Sequence, residues 1–208
     1  IFFADDICLL APSRSALQKV IDCCAEYCRT FALEINPRKS QVMVFSTRQI
    51  DYGSLKPIVL NNEAIDYVSS IKYLGITIMS QRGLSYSSEA DLKCFYRAVN
   101  SVLNVINGPN EIVQMHLLYA NCVPILTYSS GIKAYPARET TNCNSALNNA
   151  IRKIFTYNRW ESIRTLRESF TYISLVELFA ESRQKCFLSL SSHHNPTLRY
   201  LSHLDLFT

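Results

Sequence analysis

Two adjacent aspartates, Asp5 and Asp6, stand between two apolar runs at the start of the chain, residues 1–3 and 7–10. The runs have the length and composition of short buried strands, so the simplest structure is a β-hairpin with the aspartates at or beside its turn. Burying two neighbouring anions costs free energy unless a counter-charge or water accompanies them. The sequence therefore predicts that both carboxylates are accessible to solvent at the tip of a hairpin.

The residue types leave two explanations for this pair. Aspartate tolerates the tight backbone conformations of a loop tip, which would make the pair a matter of turn chemistry. Carboxylate oxygens are also ligands that Mg²⁺ and Mn²⁺ prefer, which would make the pair part of a divalent metal site. Both explanations are compatible with the residues alone.

Three segments resemble, in order, motifs of reverse transcriptases from non-LTR (LINE-type, Jockey/CR1-like) retrotransposons. Residues 3–6, Phe-Ala-Asp-Asp, resemble the aromatic-small-Asp-Asp box of that family. Residues 35–45 resemble the next palm motif, and residues 71–76 resemble the primer-grip motif. Because the three segments keep the family's order at plausible distances, the resemblance is more specific than one tetrapeptide would be.

The resemblance implies an α+β fold in two parts. Residues 1–80 would form the C-terminal half of a polymerase palm, with a β-hairpin, a helix and further short antiparallel strands. Residues 81–208 would form an all-α thumb and a helical tail. Because the chain begins inside an apparent strand, we expect it to be a fragment. The N-terminal palm and the fingers of the same polypeptide would then be missing, and the isolated chain would be inactive.

The resemblance also implies an enzyme, an RNA-directed DNA polymerase that transfers nucleotides to a DNA primer 3′-hydroxyl on an RNA template. Its partners would be the RNA template, the DNA primer or target, and deoxynucleoside triphosphates. Two Mg²⁺ (or Mn²⁺) ions are expected in the complete enzyme, with Asp5 and Asp6 as catalytic metal ligands and a further aspartate from an earlier strand. Phe3 would shape the hairpin's packing, and the small Ala4 would leave room for the primer end.

Lys39 lies in the loop before a predicted strand at residues 40–46. In the family the matching lysine lies near the phosphates of the incoming nucleotide, where a cation would neutralise the leaving pyrophosphate or donate a proton to it. An ordinary solvated loop lysine is the alternative.

Residues 71–78 are predicted to form one strand that contains Gly75. A glycine inside a strand indicates a bulge or a close approach of backbones. By resemblance, Tyr73, Leu74 and Gly75 would let the primer backbone pass closely, and a bulge that only bends the sheet is the alternative.

Hydrophobic periodicity predicts the remaining elements. A helix with a Ser15–Gln18 capping box would bury a stripe from Leu17 to Phe31 and end at Asn36-Pro37, and Asn61-Asn62 would turn a hairpin. From Ser87 onwards the period is helical, with Pro124 as a kink or stop. The predicted helices carry apolar stripes at residues 92–106, 112–126, 146–155 and 175–190, with a stop at residues 108–109 and a break at residues 128–131.

Positive charge and aromatic side chains are concentrated in residues 152–167. Arginine and lysine can contact phosphates, and an aromatic ring such as Trp160 can stack on an unpaired base. The alternative is a solvated helix face with a tryptophan in the core. The candidate nucleic-acid-binding residues of this segment are Arg152, Lys153, Arg159, Trp160 and Arg164.

Composition narrows the remaining possibilities. Of 208 residues, 48% are hydrophobic and 18% charged, which is typical of a folded protein, and the net charge of +4 is only mildly basic. No apolar run approaches the roughly 20 residues of a membrane span, so no membrane partner is expected. Eight scattered cysteines indicate a reducing intracellular compartment, and the family implies nucleus and cytoplasm. A non-catalytic nucleic-acid-binding remnant and a helical interaction module are the alternative functions.

Overall fold

The computed structural model describes residues 1–81, 83–105, 110–133, 135–170 and 174–202. These residues form two compact units. Unit 1 comprises Ile1–Tyr73 and Ile78–Leu84, and unit 2 comprises Leu74–Thr77 and Ser85–Thr208. Short strands and one long helix precede residue 87 and helices follow it, so the predicted α+β class is confirmed.

The chain begins with the predicted hairpin. β1 (Phe2–Phe3) pairs antiparallel with β2 (Asp6–Ile7), with Phe2 opposite Ile7 and Phe3 opposite Asp6. Two further backbone hydrogen bonds join Ile1 and Cys8, at 2.8 and 2.9 Å. The strands are much shorter than the apolar runs from which they were predicted.

The first helix, α1 (Arg14–Thr30), buries Ile21, Ala25 and Cys28. Its N-cap is Ser13, whose hydroxyl accepts a hydrogen bond from the Ala16 N–H at 3.2 Å, so the predicted Ser15–Gln18 capping box is wrong. The helix ends at Thr30, six residues before Asn36, and Ala32 then takes a left-handed backbone conformation with φ of 54°. The predicted apolar stripe is also too wide, because Val20, Tyr27 and Phe31 are exposed.

A three-stranded sheet of order β3-β5-β4 packs against α1 in unit 1. β4 (Ile58–Leu60) and β5 (Glu63–Tyr67) form the predicted hairpin, since Asn61 and Asn62 both adopt positive φ in its turn. β3 (Gln41–Val42) runs parallel to β5 and is only two residues long, so the strand predicted at residues 40–46 is mostly irregular backbone. The buried core of this unit comprises Ile21, Ala25, Val42, Ile58, Leu60 and Ile65.

The next sheet corrects a second strand prediction. β6 (Ser70–Tyr73), β7 (Ile76–Gln81) and β8 (Gly83–Tyr86) follow one another in the order β6-β7-β8. Residues 71–78 are therefore not one strand, because the chain turns at Leu74 and Gly75. Gly75 lies in a turn between strands, and it is not a bulge within one.

The helices of unit 2 surround a single buried cluster. Predicted helices are confirmed at residues 89–105, 137–154 and 175–191, and the helix predicted over residues 112–126 is present in two α-helical parts. The short helices at residues 164–169 and 196–201 were not predicted, and the predicted stop at residues 108–109 lies outside the described residues. The bounds are α2 (Glu89–Val105), α3 (Glu111–Leu117), α4 (Val123–Thr127), α5 (Ala137–Ile154), α6 (Arg164–Ser169), α7 (Leu175–Ser191) and α8 (Pro196–Leu201). The largest fully buried side chains include Phe95, Met115, Leu118, Leu126, Leu147, Ile151 and Leu175.

Pro124 disturbs the helix in which it lies, as predicted. A π-helical segment, Leu118–Cys122, separates α3 from α4, and Pro124 stands in the first turn of α4. Proline has no N–H to donate, and a wider turn before it accommodates the lost helical hydrogen bond. The chain continues as helix to Thr127 and breaks at the predicted residues 128–131.

Across the described ranges, no helix combines the length and the apolar character that crossing a membrane requires.

One side chain of α1 completes the edge of β4, and it yields the first testable prediction. The Gln18 amide donates to the Val59 carbonyl at 2.7 Å and accepts from the Val59 N–H at 2.9 Å, in the manner of a neighbouring strand. Replacing Gln18 with Ala should lower the opening free energy of the Val59 amide by about 1–2 kcal/mol, because two hydrogen bonds are lost. Native-state hydrogen exchange measures this quantity.

The matched control is Lys19→Ala, at the next, exposed position of the same helix. It should change the opening free energy by less than about 0.5 kcal/mol. Equal effects of the two substitutions would mean that the Gln18 amide contributes nothing beyond helix propensity.

Candidate functional site

Asp5 and Asp6 lie at the tip of the first hairpin, and both are exposed. Ala4 and Asp5 occupy the turn, and Asp6 is the first residue of β2. Ala4 adopts a left-handed conformation with φ of 51°, which costs an L-residue about 1–2 kcal/mol. The prediction of a hairpin with solvent-accessible carboxylates is confirmed.

The apolar residues around this tip are not buried as predicted. The side chain of Phe3 is 61% exposed, and Ile1, Ile7 and Leu10 are exposed as well. The reason is the size of the sheet, since two strands of two residues cannot cover one another. Leu9 is the anchor of this segment, because it packs against the core of unit 1. The hairpin therefore presents its carboxylates and an apolar surface together.

The donor chemistry of the pair fits a hard divalent cation, and the donor set is partial. Two exposed carboxylates offer oxygen ligands of the type that Mg²⁺ takes. Among the residues that the structure describes, no group of three or more His, Cys, Asp or Glu side chains could hold a metal ion. The pair can therefore supply only part of a complete coordination shell.

Lys39 is the last residue of a 3₁₀ turn, Pro37–Lys39, and its side chain is exposed. The Asn36 side chain caps this turn by accepting from the Arg38 N–H at 3.0 Å. Arg38 pairs with Glu63 at 3.8 Å. Asp5, Asp6 and Lys39 thus lie in the same compact unit, on separate elements.

The turn at Leu74 and Gly75 has an unusual backbone for its sequence. Both residues have positive φ, 46° for Leu74 and 78° for Gly75, as in the type I′ turns of two-residue hairpins. Asn-Gly is the usual pair in such a turn, which explains why the sequence did not reveal it. Tyr73 precedes the turn with a half-buried side chain, so the exposed part of this motif is mainly backbone.

Sequence reasoning missed Tyr128. Its hydroxyl donates a hydrogen bond to the Leu74 carbonyl at 3.1 Å, although 54 residues separate the two in sequence. The break at residues 128–131 signals a change of direction, and nothing in it signals a partner so distant.

Trp160 is 84% exposed, so the alternative of a tryptophan in the core is wrong. It lies in the loop between α5 and α6, in which Ile163 is buried in the core and Phe155 packs against that core. The Arg152 side chain fixes the loop by donating to the Glu161 carbonyl at 3.0 Å. Tyr157 and Arg159 are exposed beside the tryptophan.

The predicted basic residues of this segment divide into two groups. Lys153 and Arg159 are exposed. Arg152 supports the loop, and Arg164 pairs with Glu168 at 2.9 Å on the surface of α6. A solvated pair of this kind contributes little to stability, so Arg164 can leave it at little cost.

The comparisons with known proteins agree with the motifs. Residues 1–78 match the family model described as reverse transcriptase (RNA-dependent DNA polymerase). This range contains Asp5, Asp6, Lys39 and the turn at Leu74 and Gly75. The class to which this part of the chain is similar is therefore the reverse transcriptases.

The chain is also similar to the probable RNA-directed DNA polymerase from transposon BS of Drosophila melanogaster, with 25% identity over 209 residues. The match covers 96% of this chain and 23% of that protein, so the chain spans about a quarter of the relative's length. The predicted resemblance to retrotransposon reverse transcriptases is confirmed by these two matches. No solved structure matches the chain.

The exposure of Trp160 leads to a testable prediction about stability. Trp160→Ala should leave the thermal melting temperature of the chain within about 2 °C, because a solvated side chain makes few contacts to lose. Ile163→Ala, three residues away but buried, is the matched control and should lower it clearly. A large loss of stability for the Trp160 variant would contradict its exposed position.

Proposed function

We propose that this chain is part of an RNA-directed DNA polymerase of a non-LTR retrotransposon. The observation that carries the proposal is the pair of exposed carboxylates, Asp5 and Asp6, at the tip of a hairpin within the residues that match the reverse transcriptase model. The reaction is nucleotidyl transfer from a deoxynucleoside triphosphate to the 3′-hydroxyl of a DNA primer, directed by an RNA template.

Asp5 and Asp6 would hold part of the site for two Mg²⁺ or Mn²⁺ ions, with Asp5 as the better candidate for direct ligation. Such ions, when bound, activate the attacking hydroxyl and offset the charge that develops on the leaving pyrophosphate. We assign Lys39 to the same pyrophosphate: its exposed ammonium can neutralise the developing charge or donate a proton. The remaining carboxylate would come from a strand outside this chain.

This assignment gives each part of the chain a role in the polymerase. Residues 1–80 would supply the C-terminal half of the palm, and residues 81–208 would supply the thumb and a helical tail. Ala4 is small, so it leaves space beside the carboxylates for a primer end. Phe3 adds an exposed ring to the same hairpin. Without the rest of the palm and the fingers, the isolated chain would not polymerise.

Nucleic acid would contact two further places. Backbone at Tyr73, Leu74 and Gly75 would follow the primer strand. The loop between α5 and α6 offers Trp160 for stacking, with Lys153 and Arg159 as exposed cations near it in sequence, and Arg152 and Arg164 as cations that also make contacts within the chain.

We also propose that the protein works in reducing compartments, namely the nucleus and the cytoplasm. All eight cysteines are free thiols in the structure. Burial raises the pKa of the Cys122 and Cys143 thiols, which makes them inert hydrophobic side chains of the core.

The first prediction of the proposal concerns Asp5. In the full-length protein, Asp5→Asn should reduce extension of a primed RNA template by at least about 100-fold, because the amide keeps the shape and loses the charge that binds the cation. Steady-state extension assays with Mg²⁺ measure this. Asp66→Asn, an exposed position of β5, is the matched control and should extend normally.

Extension by the Asp5 variant at the wild-type rate would refute the catalytic proposal. Loss of extension in both variants would point to a folding defect instead of lost metal binding. A full-length protein that binds primer-template but does not extend it, before any substitution, would favour the alternative of a non-catalytic nucleic-acid-binding remnant. Absence of any nucleic-acid binding would favour a helical interaction module.

The second prediction concerns the loop between α5 and α6. Replacing Arg159 and Arg164 with Gln should make the slope of log affinity against log salt shallower by about one unit per lost phosphate contact. Trp160→Ala should lower affinity for single strands by about 1–3 kcal/mol and leave the slope unchanged, because stacking is not electrostatic. Fluorescence anisotropy over a salt series measures both quantities.

Arg97→Gln, on the exposed surface of α2, is the charge-matched control for the arginine changes, and Tyr200→Ala is the control for loss of an exposed aromatic ring. Neither should alter the slope. A slope that is unchanged in the arginine variants would remove this loop from the nucleic-acid interface.

A further inference from the structure

The turn at Leu74 and Gly75 holds a conformation that its sequence does not favour. Leucine pays a steric penalty at positive φ, whereas asparagine or glycine would adopt the same angle readily. A strained position of this kind persists where surrounding contacts determine it, and such positions concentrate at functional sites. One distant side chain, Tyr128, contacts both residues of this turn.

Tyr128 supports the turn in two ways. Its hydroxyl donates to the Leu74 carbonyl at 3.1 Å. Its ring lies so close to Gly75 that a Cβ built on the glycine would lie 3.1 Å from Cε1 of the tyrosine. The positive φ and the nearby tyrosine ring together disfavour a larger residue at this position.

Tyr128 is itself held by a buried charge. It follows α4 directly, and the Lys133 ammonium lies 5.9 Å from the centre of its ring, within the range of a cation–π contact. Lys133 is 1% exposed, an unusual position for a lysine. Such a burial requires an anionic partner.

The partner is Asp91, in the first turn of α2. The Lys133 ammonium lies 2.9 Å from the Asp91 carboxylate and 3.0 Å from the Tyr135 hydroxyl, which in turn donates to Asp91 at 2.9 Å. Burial raises the pKa of Tyr135, and the nearby Asp91 charge raises it further, so the hydroxyl remains a donor at neutral pH. The three groups satisfy one another and fix the position of the ammonium.

The segment between these contacts is fixed as well. Gly131 packs so tightly on α7 that an added Cβ would lie 2.8 Å from the Ser182 carbonyl oxygen. Tyr128 thus stands on a short rigid segment, residues 128–133, that is tied to α2 and to α7. Tyr128 itself is 53% exposed, beside the turn that it supports.

From these contacts we propose that Tyr128 is a positioning residue of the polymerase, which braces the Leu74–Gly75 turn against the primer strand, and that the Lys133–Asp91–Tyr135 cluster holds Tyr128 in place. The inference rests on the proposed function, since the turn is assigned there to the primer. Lys133 is buried, so its charge acts through Tyr128 and not by contact with a phosphate. The exposed half of the tyrosine ring extends the surface that the primer backbone would follow.

The first test needs no catalysis and uses the 208-residue chain. Tyr128→Phe removes the hydroxyl and keeps the ring, so exchange of the backbone amides at residues 74–76 should become about three- to tenfold faster, the range that one lost hydrogen bond supports. The melting temperature should stay unchanged, because the ring still packs. Tyr96→Phe, on a half-exposed tyrosine of α2, is the matched control and should leave this exchange unchanged. Unchanged exchange in the Tyr128 variant would overturn the bracing contact.

The second test uses the full-length protein. Tyr128→Phe should lower kcat for primer extension, per titrated active site, by about three- to tenfold with little change in the affinity for primer-template, since a misplaced primer end binds but reacts slowly. Lys133→Met should do the same, and the double variant Asp91→Asn with Lys133→Met avoids an unpaired buried carboxylate if the single variant unfolds.

The outcomes separate the two proposals. Faster exchange at the turn with an unchanged kcat would overturn the positioning role, while the turn itself would remain braced. A lower kcat that comes only with a lower melting temperature would indicate a structural role and would also overturn it. If Asp5→Asn in the same protein extends primers normally, the proposed function fails, whatever Tyr128→Phe does.

Discussion

Two neighbouring carboxylates stay ionised only where water or cations surround them, and this constraint governs the start of the chain. It places Asp5 and Asp6 at the exposed tip of a hairpin whose strands, β1 and β2, have two residues each. The apolar side chains beside them then have no sheet large enough to cover them. Leu9, which joins the core of unit 1, is what ties the tip to the rest of that unit. The electrostatic requirement accounts for the accessibility of the carboxylates, and the small sheet accounts for the exposed apolar surface around them.

Sequence signals succeeded where they act locally. The period of apolar residues predicted α2, α5 and α7, and Asn61-Asn62 predicted its hairpin, because each depends on residues a few positions apart. The signals failed where a distant group decides the outcome. Leu74 has no intrinsic preference for a turn, and Tyr128 supplies the missing stabilisation from another part of the chain. The capping box failed for a local reason, since Ser13, two residues before Ser15, caps the helix.

Short sequence motifs identified more residues of the candidate site than hydrophobic periodicity did. The order of the three boxes led to the family, and the hairpin at Asp5 and Asp6 followed from charge and patterning alone. The sequence was least informative about which aromatic side chains are buried. Trp160 lies in a loop, where no helical period fixes the direction of a side chain, so composition could not decide between core and surface. In this loop Ile163 is buried in the core and Trp160 is exposed.

Lys133 shows what a buried charge can do that an apolar side chain cannot. A leucine at this position would fill the volume, but it would not fix the direction of its neighbours. The ammonium donates to two acceptors, the Asp91 carboxylate and the Tyr135 hydroxyl, and lies 5.9 Å from the centre of the Tyr128 ring. Burying such a pair adds little net stability compared with a hydrophobic substitute. What it adds is a defined geometry, and in this chain that geometry reaches, through one tyrosine, the strained turn at Leu74 and Gly75.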